Sequence, residues 1–162
     1  MNRFKSKERI EQAVRAHGDM LLKICFTMLG NRYDAEEIVQ ETFIAYMVND
    51  KEFCDTEHEK AWLIRVAVNK SKNALRYRSK HIYINLDDVR EVAASEDKQE
   101  MLAEVMRLPA KIKTAVHLHY YEGYSCKEIG AIVGATEAAV KKRLQRGREL
   151  LKNILGGDEY EG

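Results

Sequence analysis

Tyr124-Ser-Cys-Lys-Glu-Ile-Gly-Ala-Ile-Val-Gly-Ala-Thr-Glu-Ala-Ala-Val-Lys-Lys-Arg-Leu-Gln-Arg-Gly-Arg148 is the stretch on which the fold turns. Ser125-Cys-Lys-Glu128 has the form of a capping box, in which serine and glutamate satisfy each other's backbone donors. It opens a short helix over 126–133 whose apolar face is Ile129, Ile132 and Val133. Gly134 suits the left-handed position that ends such a helix, and Thr136 caps the next one. Two helices joined by a tight glycine-bearing turn make a helix-turn-helix. On the second helix, 137–155, Val140, Leu144, Gly147, Leu151 and Ile154 recur at helical spacing and face the core. Ala138, Lys142, Gln145 and Glu149 then point outward, flanked by Lys141 and Arg146. Lysine, arginine and glutamine on the outer N-terminal half of a helix can reach base edges in a major groove. An ordinary basic surface helix would leave the agreement of cap, turn, register and charge unexplained.

Working outward, helical periodicity covers most of the 162 residues. Helices are predicted over 7–17 and 19–29, the latter ending at Gly30, and over 34–49 with Asp34 as cap. A polar, irregular segment at 50–58 leads into a long helix at 59–79. A short strand-like alternation occupies 81–86. Residues 87–99 read as an acidic, exposed linker without a core, and further helices follow at 101–107 and 109–122. The glycine-rich acidic tail, 156–162, is expected to fray. The fold class is therefore all-α, with two small helical domains, 1–80 and 101–155, joined by an acidic linker over 81–100. The C-terminal domain is the helix-turn-helix.

Composition supports a folded chain. Hydrophobic residues make up 45% and charged residues 33%, enough apolar material to rule out wholesale disorder. The single proline, Pro109, leaves long helices uninterrupted. No apolar run approaches the ~18 residues of a membrane span. The apolar stretch at 20–30 carries Lys23 and follows a charged segment, unlike a signal peptide. A cytoplasmic protein with no stable membrane insertion is expected. Cys25, Cys54 and Cys126 are odd in number and widely spaced, which fits reduced thiols. Cys54, in the polar segment, is the one expected to be exposed and the one candidate for a redox role.

The net charge of +1 conceals strong alternation. Residues 34–59 carry nine acids against one base, and 60–81 carry seven bases and no acid. Residues 86–104 carry seven acids against two bases, and 136–155 six bases against two acids. Two basic helices set among acidic stretches provide two separate anionic contacts. In the first, Arg65, Asn69, Lys72 and Arg76 form one polar stripe, with Leu63, Ala67 and Ala74 opposite and Trp62 at its edge. A basic stripe with neighbouring aromatics is a platform for a single strand, whose phosphates meet cations while bases stack on rings. Core packing is the alternative role for Trp62. In the acidic segment, Ala35, Ile38, Val39, Thr42, Phe43 and Tyr46 take an inner face, leaving Glu36, Glu37, Gln40 and Glu41 outside. Such a face suits a basic protein partner, since nucleic acid would be repelled. A bias toward acids at a helix N-terminus accounts for the earlier carboxylates but not Glu41.

Asp34-Ala-Glu-Glu-Ile-Val-Gln-Glu-Thr-Phe43 and Trp62-Leu-Ile-Arg-Val-Ala-Val-Asn69 together resemble the second conserved region of bacterial extracytoplasmic-function sigma factors. Leu108-Pro109, Tyr124-Ser-Cys-Lys-Glu-Ile129 and Val140-Lys-Lys-Arg-Leu-Gln-Arg-Gly-Arg148 are similar to their fourth region. Both motifs occur in the family's order, across nearly the whole chain. The resemblance implies that the 34–43 helix docks on the clamp of core RNA polymerase. It implies too that the 60–78 helix and the loop before it melt and read the −10 element, and that the helix-turn-helix reads the −35 element. An anti-sigma partner is implied as well. Asn73, Gly130 and Gly147 depart from the family pattern, which usually has an acid, alanine and alanine there. Gly147 costs the helix up to ~1 kcal/mol against alanine unless close packing requires it.

Other classes explain less. Glu57, His58 and Glu59 are neighbours, but His117 and His119, two apart on a helix, do not face each other. Gly-rich phosphate loops, nucleophile elbows and Cys-x-x-Cys pairs are absent from the sequence. No catalytic site, cofactor or metal is expected. An ordinary helix-turn-helix regulator leaves the N-terminal basic helix and the acidic face without a purpose.

Overall fold

Among the described residues three helices build the N-terminal unit, and each begins where a side-chain oxygen takes up a free N–H group. The computed structural model describes residues 4–77, 84–93 and 96–154. It divides into two units, Met1–Ile82 and Tyr83–Gly162. All regular structure among the described residues is helical. The 81–83 part of the strand-like alternation and the 156–162 tail lie outside the described residues, and Leu86 opens a helix.

Helix α1 runs unbroken over Lys7–Leu29, where the sequence suggests two helices parted near Gly18. A glycine in a helix interior costs only ~1 kcal/mol. The buried row Ala13, His17, Leu21 and Ile24 continues straight across it and outweighs that cost. Ser6 caps the start, and Gly30, at φ 86°, ends the helix with its N–H bonded to the Phe26 carbonyl. Helix α2 covers Arg32–Val48. Its cap is Asn31, which accepts from the Asp34 N–H at 2.9 Å, so Asp34 lies inside the first turn rather than before it. Helix α3, Thr56–Arg76, starts three residues earlier than periodicity alone suggests, because Asp55 accepts from the His58 N–H at 2.8 Å. Glu57 and Glu59 complement the dipole of its first turn. The three helices pack pairwise around Leu21, Phe26, Ile38, Leu63, Ile64 and Val68. Cys25 is fully buried among them, and burial pushes its thiol up to about 12. Such a thiol is inert, whereas Cys54 is exposed.

The second unit contains helices α4 (Leu86–Val92), α5 (Glu96–Met106), α6 (Ala110–Val116), α7 (Cys126–Val133) and α8 (Glu137–Ile154). The stretch read as an exposed, coreless linker is therefore largely helical. Val89 is 2% exposed and Val92 9%, and α4 packs on α5. Asn85 caps α4 by accepting from the N–H groups of Asp87 and Asp88. One pair of buried valines within a short, acid-rich stretch makes too brief a repeat to stand out as a helical face. Helix α6 follows Pro109 and continues into one π-helical turn, His117–Tyr121, so the helix expected over 109–122 is present but wider at its end.

Gly147 is buried where α8 crosses α6. A Cβ there would lie 2.7 Å from Val116 Cγ2 and 3.1 Å from Ile112 Cγ2. Close packing, then, is what this glycine provides. Gly147→Ala should destabilise the second unit by about 1–3 kcal/mol through overpacking, despite alanine's better propensity. Amide exchange along α8 measures it, and Val116→Ala in the same chain should restore part of the loss.

Lys113 is 2% exposed, and burial pulls its ammonium down from 10.5 to about 8. Between those values the unfolded chain binds more protons than the folded one, so stability rises with pH through that window. At pH 7 the buried charge costs on the order of 3 kcal/mol. Lys113→Met should stabilise the unit at pH 7, with the gain shrinking as pH rises from about 8 to about 10.5. Amide exchange of α6 against pH checks the sign, and a pH-independent gain would contradict it.

Candidate nucleic-acid interface

The register of α8 follows from the turn before it. Ser125 accepts from the Glu128 N–H at 3.1 Å, and Glu128 accepts from the Ser125 N–H at 3.0 Å. The bond from the Ser125 N–H, followed by the Ser125 side chain, holds the Glu128 carboxyl below the usual carboxylate range. Gly134, at φ 74°, closes α7, and Thr136 Oγ1 accepts from the Ala139 N–H at 3.1 Å to open α8. Val140, Leu144 and Gly147 are consequently buried and Leu151 half-buried. Ala138, Lys141, Lys142, Gln145 and Arg146 are all exposed, as is Glu149. Lys141 pairs with Glu137 at 3.6 Å and Arg146 with Glu149 at 3.3 Å. Exposed pairs of this kind contribute ~0.3–0.5 kcal/mol, little enough for a phosphate to displace.

On α3 the stripe forms as spaced. Arg65, Asn69 and Arg76 are exposed and Lys72 is half-exposed, while Leu63 and Ala67 are buried and Ala74 partly so. Tyr77, the helix's C-cap, is 91% exposed, a ring available for stacking. Arg78 lies outside the described residues. Trp62 is half-buried and serves as a wall: its ring centroid is 5.7 Å from Phe53 and 6.3 Å from Tyr46. Phe53 stacks on Tyr46 at 6.2 Å and meets His58 edge-on at 5.2 Å. This aromatic cluster anchors the loop between α2 and α3 beside the basic stripe.

The α2 face is acidic, with Glu36, Glu37 and Glu41 all exposed around an exposed Gln40. Glu36 is paired with Arg32 at 2.7 Å. Sequence reasoning missed that Tyr33, Ile44 and Val48 also stand exposed on this helix, at 77%, 57% and 50%. Their spacing of eleven and four residues matched that of one helical face and was the available signal. It also missed Lys5 and Arg9, and the contacts that Glu59 makes with Arg9 and Tyr46. Arg9 Nε donates to the Tyr46 hydroxyl at 3.2 Å, and the hydroxyl donates to Glu59 Oε1. His17 Nε2 lies 3.3 Å from Glu59 Oε2. Burial and the Glu59 hydrogen bond raise the Tyr46 phenol, while its bond to that phenol raises Arg9.

Comparison with known proteins matches Sigma-70 region 2 to residues 13–81 and Sigma-70 region 4 to residues 98–151. The ECF RNA polymerase sigma factor SigW of Bacillus subtilis is 29% identical, over 88% of this chain and 86% of the relative. The chain belongs to the extracytoplasmic-function sigma factors. SigE of Mycolicibacterium smegmatis is 30% identical over 93% of this chain, which spans 63% of that relative. Among solved structures, CnrH in complex with the cytosolic domain of CnrY shares the fold at a TM-score of 0.68 and 24% identity, covering 94% of this chain and 91% of that one. The sigma factor RpoE bound to the anti-sigma factor NepR, from Bartonella quintana, does so at 0.73 and 22%, covering 93% and 99%. As a sigma factor of this type, the protein directs core RNA polymerase to promoters for transcription initiation.

Proposed function

We propose a division of the sigma factor's task among three faces. Glu36, Glu37, Gln40 and Glu41 on α2 dock on a basic surface of core polymerase. Arg65, Asn69, Lys72 and Arg76 on α3, with the loop before them, bind the melted −10 strand. Ala138, Lys141, Lys142, Gln145 and Arg146 on α8 read the −35 duplex. The observation that carries this reading is the exposure of the whole basic row of α8 above a buried Val140 and Leu144, behind a fully capped turn. A helix so presented fits a major groove, and one with aromatics beside its cations fits a single strand. The chain supplies specificity, and the polymerase supplies the chemistry. It works in the cytoplasm with that enzyme, with the two units that part at Ile82 and Tyr83 acting as separate domains. CnrH and RpoE are each seen with a protein partner, RpoE's being an anti-sigma factor, and an inhibitory partner of that kind is proposed here too.

Charge reversal at Glu37 and Glu41, neither of which has an ion pair among the described residues, tests the first face. The double variant should lose about tenfold or more in affinity for core polymerase, because like charges then face each other across the interface. Helicity by circular dichroism should not change. Full affinity in a pull-down would remove the assignment.

The two DNA faces separate by salt titration. Lys142→Ala should cost about 1–3 kcal/mol on the preferred −35 duplex and much less on scrambled duplex. Arg76→Ala should weaken holoenzyme binding to −10 single strand, lowering the salt slope by about 0.7 for each phosphate that the arginine no longer neutralises. Equal weakening by both variants on both ligands would refute the division.

A further inference from the structure

The segment between α2 and α3, residues 49–55, is anchored by Phe53 in the aromatic cluster, and its other residues have little of their own to hold their shape. Asp50, Lys51 and Glu52 line, with Phe4, Lys5 and Arg9, an open cleft of about 360 Å³ rather than a packed core. Within the loop and its exit the hydrogen bonds are local, from Lys51 N–H to Asn49 Oδ1 at 3.2 Å and from Cys54 N–H to His58 Nδ1 at 3.3 Å. Helix α2 also lacks a basic residue in its last turn to meet its free carbonyls.

Both needs are met by residues that precede or open α1. The Lys5 N–H donates to the Met47 carbonyl at 3.1 Å. Its ammonium donates to the Tyr46 carbonyl at 3.1 Å and to the Asn49 carbonyl. That ammonium also sits 4.4 Å from the Tyr46 ring centroid and 5.6 Å from that of Phe53. Arg9 continues the brace through the Tyr46 hydroxyl to Glu59, 3.5 Å from its guanidinium, in the first turn of α3. The entrance, middle and exit of the loop are thus each tied to one of two cations that precede or open α1.

We infer that Lys5 and Arg9 are positioning residues that set the shape of the 49–55 loop for selection among −10 strand sequences. The inference rests on the proposed role of that loop in reading the −10 element. Neither cation needs to touch DNA for it.

The test uses holoenzyme assembled from the full chain and core polymerase. Short single strands randomised across the −10 window are selected for binding and sequenced. Replacing Asp50, Lys51 and Glu52 together by alanine identifies the positions that the loop reads. Lys5→Met and Arg9→Met should flatten preference at those same positions by about tenfold, the scale of one charge-assisted hydrogen bond. Preference elsewhere and binding to −35 duplex should be unchanged. Lys5→Arg, which keeps the cation, should retain the preference. Amide exchange at 50–55 should quicken in the methionine variants. Where one unfolds globally, Lys5→Gln or Arg9→Gln, which keeps a donor without the charge, replaces it and should lose the same preference. A folded glutamine variant with the wild-type preference overturns the inference. A purely structural role would lower yield for every sequence alike, leaving the ratios intact, and that result overturns the inference. So does unchanged preference in Lys5→Met while the loop variant loses it. If the loop variant itself selects like the wild type, the loop does not read the strand, and the proposed role fails along with the inference.

Discussion

The carbonyl of Gly130 accepts two N–H groups, from Gly134 and Ala135, each at 2.9 Å, and everything that the C-terminal unit offers to DNA depends on that turn. The second of these bonds folds the chain back over Gly130 so closely that a Cβ would lie 2.5 Å from the Ala135 carbonyl oxygen. Glycine is therefore a steric requirement at this position. Once the turn is set, Thr136 caps α8 and Val140 drops into the core, and the azimuth of Lys142 and Gln145 is no longer adjustable. Gly147 completes the arrangement by letting α8 lie close on Val116 and Ile112 of α6. Two departures from the family's usual alanine thus share one explanation, tight approach of backbone to a neighbour.

The N-terminal unit solves a different problem, which is to hold an acidic face and a basic face on adjacent helices. Buried contacts do this on the inside, with Ala35 and Ile38 of α2 and Leu63, Ile64 and Ala67 of α3 all buried. The charged rows point outward and are kept in register by the apolar packing rather than by each other. Where charge does enter the interior it is hydrogen-bonded. Glu59, with a side chain only 13% exposed, receives the Tyr46 hydroxyl and lies beside Arg9 and His17. Removing one member of such a group leaves the rest desolvated and unpaired, which is why it binds distant parts of the chain firmly.

Much of this architecture is legible in the sequence. The helix-turn-helix is readable because cap, glycine and apolar period act within a few residues, and all three keep their places in the structure. Local rules fail where packing outweighs them. Gly18 looks like a break and is not, since the buried row on either side continues across it. Asp34 looks like a cap, but Asn31 stands directly after the glycine turn and takes the N–H first. Val89 and Val92 make too short a pattern to show that α4 belongs to a core. The brace from Lys5 and Arg9 is out of reach in principle, because Lys5 meets Tyr46 across 41 positions of sequence and Arg9 meets Glu59 across 50. Contacts at that separation leave no periodicity. Tyr33, Ile44 and Val48 are a different kind of miss, since their spacing is visible and the carboxylates beside them draw the reading toward charge alone.

If the two proposed DNA faces are held at one separation in the holoenzyme, that separation should be written in the promoters the protein uses. Transcription by core polymerase on a fragmented genomic library, with and without the protein, followed by mapping of start sites, tests this most directly. Starts that depend on the protein should share two upstream sequence blocks, near −10 and −35, at a constant spacing. Protein-dependent starts with only one shared block, or no starts that depend on the protein, would contradict it.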